Sequence, residues 1–453
     1  MKKKVGLVTL GCPKNLVDSE IMLGSLEDAG FEVTPIHKTA EAIIINTCAF
    51  IGDAKEEAIM TILEAARLKD EGNLKLLMVT GCMAERYKED ILKEIPEVDV
   101  VVGTGSIGEI PEIISKKLND ETTQREVFAK TPNSVDYLEL TRVVTDNKPF
   151  GYLKIAEGCD NRCTYCIIPS LRGDFRSRTI ENILREARLL VNKGKKEIIL
   201  IAQDVTRYGT DIYGEKSLVR LVKELSEIDG IERIRLLYCY PELIDDNLIN
   251  EMKNNAKLCK YMDIPIQHIS DRVLKAMGRR GNKEYINSLL AKIRREVPGI
   301  VLRTSLITGF PGEAEEDFME LYDFVKESKF EHLGVFAYSK EEGTPAYKMK
   351  GHLPKKIKEA RRDKIMELQK GNVEKYNSSR IDRIYDTIVD GVAEDGIFYV
   401  GRTYAETPEI DPIIYFTSPE PLESGMIIPV KMLCPDGYDL IGEAQGMVRN
   451  GEN

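Results

Sequence analysis

A chain of 453 residues is too long for one hydrophobic core and has room for two to four domains. Its 42% hydrophobic and 31% charged composition is that of a water-soluble globular protein, and no apolar stretch approaches the ~20 residues of a membrane span. Nine cysteines, an odd number, exclude a disulfide scaffold and fit metal-binding thiols in a reducing, cytoplasmic compartment. The net charge of −11 is lopsided: residues 376–453 carry five Lys/Arg against fourteen Asp/Glu, a balance of −9.

Met1 to Lys4, then an apolar run and Cys12, has the outline of a lipoprotein signal. The apolar part is short for one, and the same run-then-Cys pattern recurs inside the chain, so it reads as a strand. Three units share this design: Lys4–Leu10 before Cys12, Ala42–Asn46 before Cys48, and Leu74–Thr80 before Cys82. A helical pattern follows each. The second starts with Asp53 and Glu56 at capping-box spacing and predicts an apolar stripe through Ile59, Ile62, Leu63 and Ala66, and Gly30 is placed to stop the first. Alternating strand and helix implies a parallel sheet, whose ligands bind beyond the carboxyl ends of the strands. One cysteine at such an end is an ordinary small hydrophobe. Three at equivalent ends imply a shared site.

Residues 119–149 are polar and poorly periodic and read as a connector, with strand-forming potential confined to Tyr137–Thr145. A second alternating series begins at Gly151–Ala156 and runs straight into Cys159-Asp160-Asn161-Arg162-Cys163-Thr164-Tyr165-Cys166, a C-x3-C-x2-C loop. Three thiolates on one tight loop suit three irons of a 4Fe-4S cube and leave the fourth iron open. The alternatives are a purely structural cysteine loop and structural zinc, but zinc takes four ligands in two spaced pairs, and none of the four histidines (His37, His268, His332, His352) stands near this loop in sequence. The spacing resembles that of the radical S-adenosylmethionine (SAM) enzymes, whose open iron chelates SAM. Cys12, Cys48 and Cys82 then read as a second three-cysteine cluster site.

Further strands are expected at Glu197–Ile201, Arg233–Tyr238, Tyr261–Pro265, Ile300–Ile307 and His332–Phe336. A helix capped by Thr179 and stopped by Gly194 follows the cysteine loop. Six strands with intervening helices suggest a partial α/β barrel with its active site at the carboxyl ends. Weaker candidates for holding SAM are Tyr165, whose ring suits adenine, Gln203 with Asp204 after the second barrel strand, and Gln267 before His268. The turn Gly309-Phe310-Pro311-Gly312-Glu313, where Gly309 and Gly312 permit close backbone approach, is another. Residues 353–377 read as a long helix with a stripe of Ile357, Ala360, Ile365 and Leu368, and positions 348–375 carry a net +6. Five short strands follow: Arg383–Val389, Ile397–Thr403, Ile413–Phe416, Met426–Leu433 and Asp439–Met447. They suggest a small oligonucleotide-binding type of barrel.

Reductive cleavage of SAM needs a low potential, which cysteine-ligated clusters reach, down to roughly −700 mV. It yields methionine and a 5′-deoxyadenosyl radical that abstracts hydrogen from an unactivated carbon. A second cluster with an open iron suggests sulfur insertion. On Gly11-Cys12-Pro13-Lys14-Asn15, Asn46-Thr47-Cys48, Thr80-Gly81-Cys82, the 159–166 loop and Arg176-Ser177-Arg178, the chain resembles the radical SAM methylthiotransferases over nearly its whole length. The resemblance implies an α/β multidomain fold: an N-terminal parallel α/β methylthiotransferase domain (1–120), a connector (121–144), a partial (β/α)6 radical SAM core (145–376) and a small all-β TRAM barrel (377–448). It also implies that Cys12, Cys48 and Cys82 hold an auxiliary 4Fe-4S cluster and Cys159, Cys163 and Cys166 the SAM-binding one, with two SAM used per turnover. A low-potential donor such as flavodoxin or ferredoxin would supply electrons.

Two branches of the family differ in substrate. One modifies an adenosine of tRNA, the other the β-carbon of an aspartate in small-subunit ribosomal protein S-twelve. The opening Cys12 to Glu20, Gln267-His268-Ile269-Ser270 and Ser170-Leu171-Arg172-Gly173 resemble the second branch. Charge agrees with them: an RNA-gripping domain should be basic, whereas a −9 barrel repels phosphate within a Debye length of about 8 Å and attracts a basic protein. The +6 stretch argues the other way. A non-catalytic iron–sulfur carrier, the remaining alternative, has no use for a barrel-sized SAM pocket.

Overall fold

The computed structural model describes residues 2–49, 52–119 and 124–446. Six strands open the chain: β1 (Lys4–Thr9), β2 (Glu32–Val33), β3 (Ala42–Thr47), β4 (Leu76–Gly81), β5 (Val100–Val102) and β6 (Glu126–Phe128). They form one parallel sheet in the order β2-β1-β3-β4-β5-β6. β3 and β4 are buried throughout, as expected of parallel strands covered on both faces. The order reverses at β1, which has β2 on one side and β3 on the other. This is the switch point where such sheets open a crevice.

Two sequence expectations change here. The helix Gly52–Ala66 buries Ala58, Ile62, Ala65 and Ala66, while Ile59 and Leu63 are 38% and 39% exposed. Small alanines let this helix lie close to the sheet, which turns the larger side chains outward. Tyr137–Thr145 forms no strand. It holds a short 3-10 turn (Asp136–Glu139) and then an extended run, pinned by side chains of the helix Pro13–Asp28: the Thr145 N–H donates to Glu20 Oε1 (2.9 Å) and Arg142 Nε to Glu20 Oε2 (2.8 Å). Gly24 permits this passage, since a Cβ there would stand 2.1 Å from the Thr141 carbonyl oxygen. The strand in this region is β6, which pairs with β5.

The central unit holds β7 (Phe150–Lys154), the short antiparallel pair β8 (Ala156–Glu157) and β9 (Arg176–Ser177), β10 (Glu197–Ile201), β11 (Arg233–Leu236), β12 (Tyr261–Asp263), β13 (Val301–Thr308) and β14 (His332–Ala337). β7-β10-β11 and β12-β13-β14 are parallel sheets, joined by a parallel bridge between Ile234 and Leu258. The result is the expected partial six-stranded barrel, with a helix capped by Thr179 after the cysteine loop.

The long helix runs Lys355–Arg380, and half of its predicted apolar stripe is kept: Ile365 is buried and Leu368 packs on the core, while Ala360 is exposed. Ile357 is 42% exposed, and the buried face is Arg361, Ile365, Gln369, Asn372, Val373, Asn377 and Arg380. Hydrogen bonds replace apolar contact: Gln369 Nε2 donates to the Phe330 carbonyl (2.8 Å) and Arg361 Nη1 to Glu313 Oε1 (2.6 Å).

The last five strands, β15 (Ile384–Val392), β16 (Tyr399–Arg402), β17 (Ile414–Thr417), β18 (Ile427–Asp436) and β19 (Asp439–Ala444), close into a barrel ordered β15-β16-β17-β19-β18. The predicted end at Met447 lies outside the described residues. The segment 402–411 of this barrel seals the amino ends of the central strands. Arg233 donates to the Arg402 carbonyl (2.9 Å), Arg235 to that of Tyr404 (2.8 Å), and the Tyr261 hydroxyl to Asp411 Oδ2 (2.6 Å). Arg402 donates to Glu197 Oε2 (2.6 Å). The carboxyl ends face the N-terminal domain. Among the described residues no helix is long and apolar enough to cross a membrane.

Candidate active site

Sheet register lines up the strand ends that precede the N-terminal cysteines. Thr9 lies beside Asn46, and Asn46 beside Thr80. Cys12, Cys48 and Cys82 follow that row by two or three residues, on either side of the switch point. Cys12 caps the helix Pro13–Asp28 and Cys82 opens the helix Cys82–Tyr87. Gly11 is left-handed (φ +93°), and a Cβ there would lie 2.7 Å from Cys48 Cβ, so glycine is required for this approach. Asn15 Nδ2 donates to the Leu10 and Thr47 carbonyls (both 3.0 Å), and Asn46 Nδ2 to the Asn15 carbonyl (2.9 Å). These bonds staple the loops to one another.

The second triplet follows β8. Gly158 (φ +80°) passes so close to the Asp174 carbonyl oxygen that a Cβ would stand 2.0 Å away. Backbone bonds then fix the loop: Cys159 N–H to the Gly173 carbonyl (3.1 Å), Thr164 N–H to that of Met277 (2.9 Å) and Cys166 N–H to that of Cys163 (3.0 Å). Asn161 Nδ2 donates to Asp204 Oδ2 (2.9 Å), and the Tyr240 hydroxyl stands 3.8 Å from Cys163 Sγ. Burial pushes the Cys159 thiol up to about 11 and that of Cys166 up to about 12. Burial also raises the Cys82 thiol, with Arg172 opposing. Loading such thiols releases protons, because a coordinating thiol is deprotonated outright. Two sets of three sulfurs suit clusters that each keep one iron free.

Beside both triplets lies a buried charge network, two members of which, Asp18 and Arg172, stand in motifs read from the sequence without this role. Arg172 ends the helix Ile168–Arg172, two turns beyond Cys166, and Ile167 and Leu171 join the apolar core of the N-terminal domain. Arg172 Nη1 donates to Asp18 Oδ2 (2.6 Å) and Glu157 Oε2 (3.2 Å), and Nη2 to Asn15 Oδ1 (2.7 Å) and Cys82 Sγ (3.5 Å). Lys154, at the end of β7, donates to Glu157 Oε2 (2.7 Å) and to Asp18, and the Tyr137 hydroxyl reaches both carboxylates. Two cations balance two anions. Burial works against the Glu157 charge, but Lys154 and Arg172 hold its carboxyl well below the usual range. A lysine closing the otherwise apolar Phe150–Leu153 run was a further signal.

The weaker candidates occupy two places. Tyr165 packs on an apolar cluster of Val273, Met277, Phe310, Tyr338 and Ala346, beside the Gly309 turn. Gln203 Nε2 donates to Glu157 Oε1 (2.5 Å), which joins it to the charge network. Gln267 is left-handed (φ +74°), and its backbone bridges β13 through Ser305 and Ile307. Gly309 (φ +74°) donates its N–H to Glu313 Oε2 (2.8 Å) and faces Lys358, while Gly312 is also left-handed (φ +81°). His268 is buried, its Nδ1 accepting from the Ser270 N–H (3.0 Å).

Comparison with known proteins agrees with this architecture. Three family models match in order: "Uncharacterized protein family UPF0004" over residues 4–103, "Radical SAM superfamily" over 153–325 and "TRAM domain" over 381–444. Among solved structures, the chain is similar to the radical SAM methyltransferase TsrM from Kitasatospora setae, described with cobalamin and a [4Fe-4S] cluster. The TM-score is 0.54 at 16% identity, covering 76% of this chain and 77% of that one. It is also similar to the cobalamin-dependent SAM radical enzyme OxsB, with a TM-score of 0.52 at 14% identity over 81% of this chain and 56% of that one. These two likenesses concern the fold alone. Curated relatives include the ribosomal protein uS12 methylthiotransferases RimO of Acetivibrio thermocellus (58% identical, 98% of each chain) and Lachnoclostridium phytofermentans (52%, 98% of this chain and all of the relative). That of Geobacter sulfurreducens is 49% identical over 98% of each chain. An iron–sulfur cluster and SAM come with the radical SAM superfamily. With near-complete coverage at about half identity or better, and the same three regions in the same order, the chain belongs to the RimO family of radical SAM methylthiotransferases.

Proposed function

We propose that this protein adds a methylthio group to the β-carbon of an aspartate in ribosomal protein uS12 (S-twelve), using two SAM and two 4Fe-4S clusters. Cys159, Cys163 and Cys166 hold the SAM-binding cluster, and Cys12, Cys48 and Cys82 the auxiliary one. When bound, the first supplies the electron that splits SAM and the second carries the sulfur to be transferred. The observation that carries this reading is one buried, charge-balanced network that joins a three-cysteine loop to the strand ends bearing Cys12, Cys48 and Cys82. The domain limits 1–120, 121–144, 145–376 and 377–448 belong to the same proposal, although 120, 121 and 448 fall outside the described residues.

The chain's own residues orient and seal. Val17 and Ile21 of the helix Pro13–Asp28 pack with Phe150, Tyr152, Ile199 and Ile201, which excludes water from the interior. Tyr165, Gln203, Gln267, Gly309 and Gly312 are the proposed contacts to SAM. A protein substrate is favoured over tRNA by the exposed Glu394, Asp395 and Asp436 around a cavity of about 630 Å³ on the C-terminal barrel, since acidic groups repel phosphate and attract a basic protein. The protein works in the cytoplasm with a low-potential donor such as flavodoxin or ferredoxin.

The test is to incubate reduced, cluster-loaded enzyme with purified uS12 and, separately, with tRNA, and to look for methylthio addition by mass spectrometry. Addition to uS12 alone is expected. Modified tRNA with unmodified uS12 overturns the substrate assignment.

A further inference from the structure

Arg172 belongs by sequence to one cysteine triplet and by contact to the other. Its helix continues from Cys166, yet its guanidinium lies among residues of the N-terminal domain and is only 2% exposed. One nitrogen donates to Cys82 Sγ (3.5 Å) and Asn15 Oδ1 (2.7 Å), the other to Asp18 Oδ2 (2.6 Å) and Glu157 Oε2 (3.2 Å). Asn15 in turn holds the carbonyls of Leu10 and Thr47 (both 3.0 Å), which precede Cys12 and Cys48. The side chain therefore reaches one N-terminal cysteine directly and the other two loops through a single asparagine. Lysine could supply the charge but not the planar fork that meets four partners at once.

We propose that Arg172 is a positioning residue that locks the auxiliary-cluster loops to the SAM-cluster loop and raises the reduction potential of the auxiliary cluster through its N–H donation to the Cys82 sulfur. The proposal rests on the reading that Cys12, Cys48 and Cys82 hold that cluster. Hydrogen bonds to ligand sulfur stabilise the more negative, reduced state, and partners beyond the ligands fix ligand orientation. Asp18 and Glu157 cancel the charge of Arg172 and Lys154, so the influence on Cys82 comes from a directed donor rather than from net charge. The same fork transmits any displacement of the 159–172 segment to the N-terminal loops.

The test isolates the auxiliary site by replacing Cys159, Cys163 and Cys166 with Ala, then adds Arg172→Lys or Arg172→Gln. Iron per chain and the midpoint potential, followed by electron paramagnetic resonance during a redox titration, are the readouts. About four irons are expected in the parent, with a more negative potential in both Arg172 variants. Loss of iron in Arg172→Lys from a loaded parent also supports the holding role. Unchanged potential at full iron content in Arg172→Lys overturns the proposal. An iron-free parent, seen before Arg172 is touched, instead removes the reading of Cys12, Cys48 and Cys82 on which it rests.

Discussion

The two cysteine triplets are assembled in opposite ways. Cys159, Cys163 and Cys166 lie within eight residues on one loop, and local backbone bonds shape it. Cys12, Cys48 and Cys82 come from the ends of three strands, and only the parallel register of β1, β3 and β4 aligns them. The first site depends on a turn, the second on a whole sheet. Damage far from the cysteines should therefore reach the second site more readily than the first.

The cysteines themselves give the strongest contrast. Replacing Cys159, Cys163 and Cys166 by Ala should abolish SAM cleavage and leave about four of the expected eight irons. Replacing Cys12, Cys48 and Cys82 should remove the same amount of iron, keep cleavage of SAM to 5′-deoxyadenosine and abolish sulfur transfer. Iron analysis paired with product chromatography separates the two outcomes. Full iron content in the second variant erases the distinction between the sites.

Lys154→Met comes next. It strands Asp18 and Glu157, both buried, with Arg172 as their one remaining cation. Breaking a buried ion pair from one side costs about 3–5 kcal/mol. Urea denaturation measures the loss, and a shift under 1 kcal/mol denies the network its structural weight.

Glu197 makes the comparison at the sealed end of the barrel. Burial opposes its charge, yet Arg235, Arg402 and Arg233 hold its carboxyl down to about 2, from an ordinary 4.5. Arg380 does the same for Glu406, also to about 2. A depressed carboxyl contributes stability that is complete above 4.5 and fades as pH falls toward 2. Acid should loosen the C-terminal barrel in that window, and Glu197→Gln should flatten the transition. Tyrosine near-UV circular dichroism follows it in a chain with 19 tyrosines and no tryptophan. A variant profile matching the parent's means that Glu197 does not govern the seal.

The smallest effects belong to the three other cysteines. Cys434 is exposed, and Cys239 and Cys259 are buried. Replacement by Ala should leave iron content intact in all three and cost about 1 kcal/mol at the buried two. Loss of iron at any of them adds a ligand outside both triplets.

Most strands were readable in the sequence because runs such as Ala42–Ile45 and Ile198–Ile201 are wholly apolar. Helix faces were read less well. Ile59, Leu63 and Ile357 looked like core and are exposed, because alanines let one helix sit close to its sheet and polar side chains dock the other. Tyr137–Thr145 has the composition of a strand but no strand partner, and spends its hydrogen bonds on Glu20.

What the sequence supplied alone is the basis of the proposed chemistry: three thiols at C-x3-C-x2-C spacing and three more, each after an apolar strand. Only tertiary structure decided that Asp18, Lys154, Glu157 and Arg172 form one buried network, which touches Cys82 and adjoins the loop that starts at Cys159. Read along the chain, Asp18 and Arg172 stand in family-like stretches and Lys154 and Glu157 beside the cysteine loop, and nothing there pairs them. Their meaning comes from burial, which removes water and leaves each charge dependent on its partners, with Asp18 of the N-terminal domain paired to Lys154 and Arg172 of the central one.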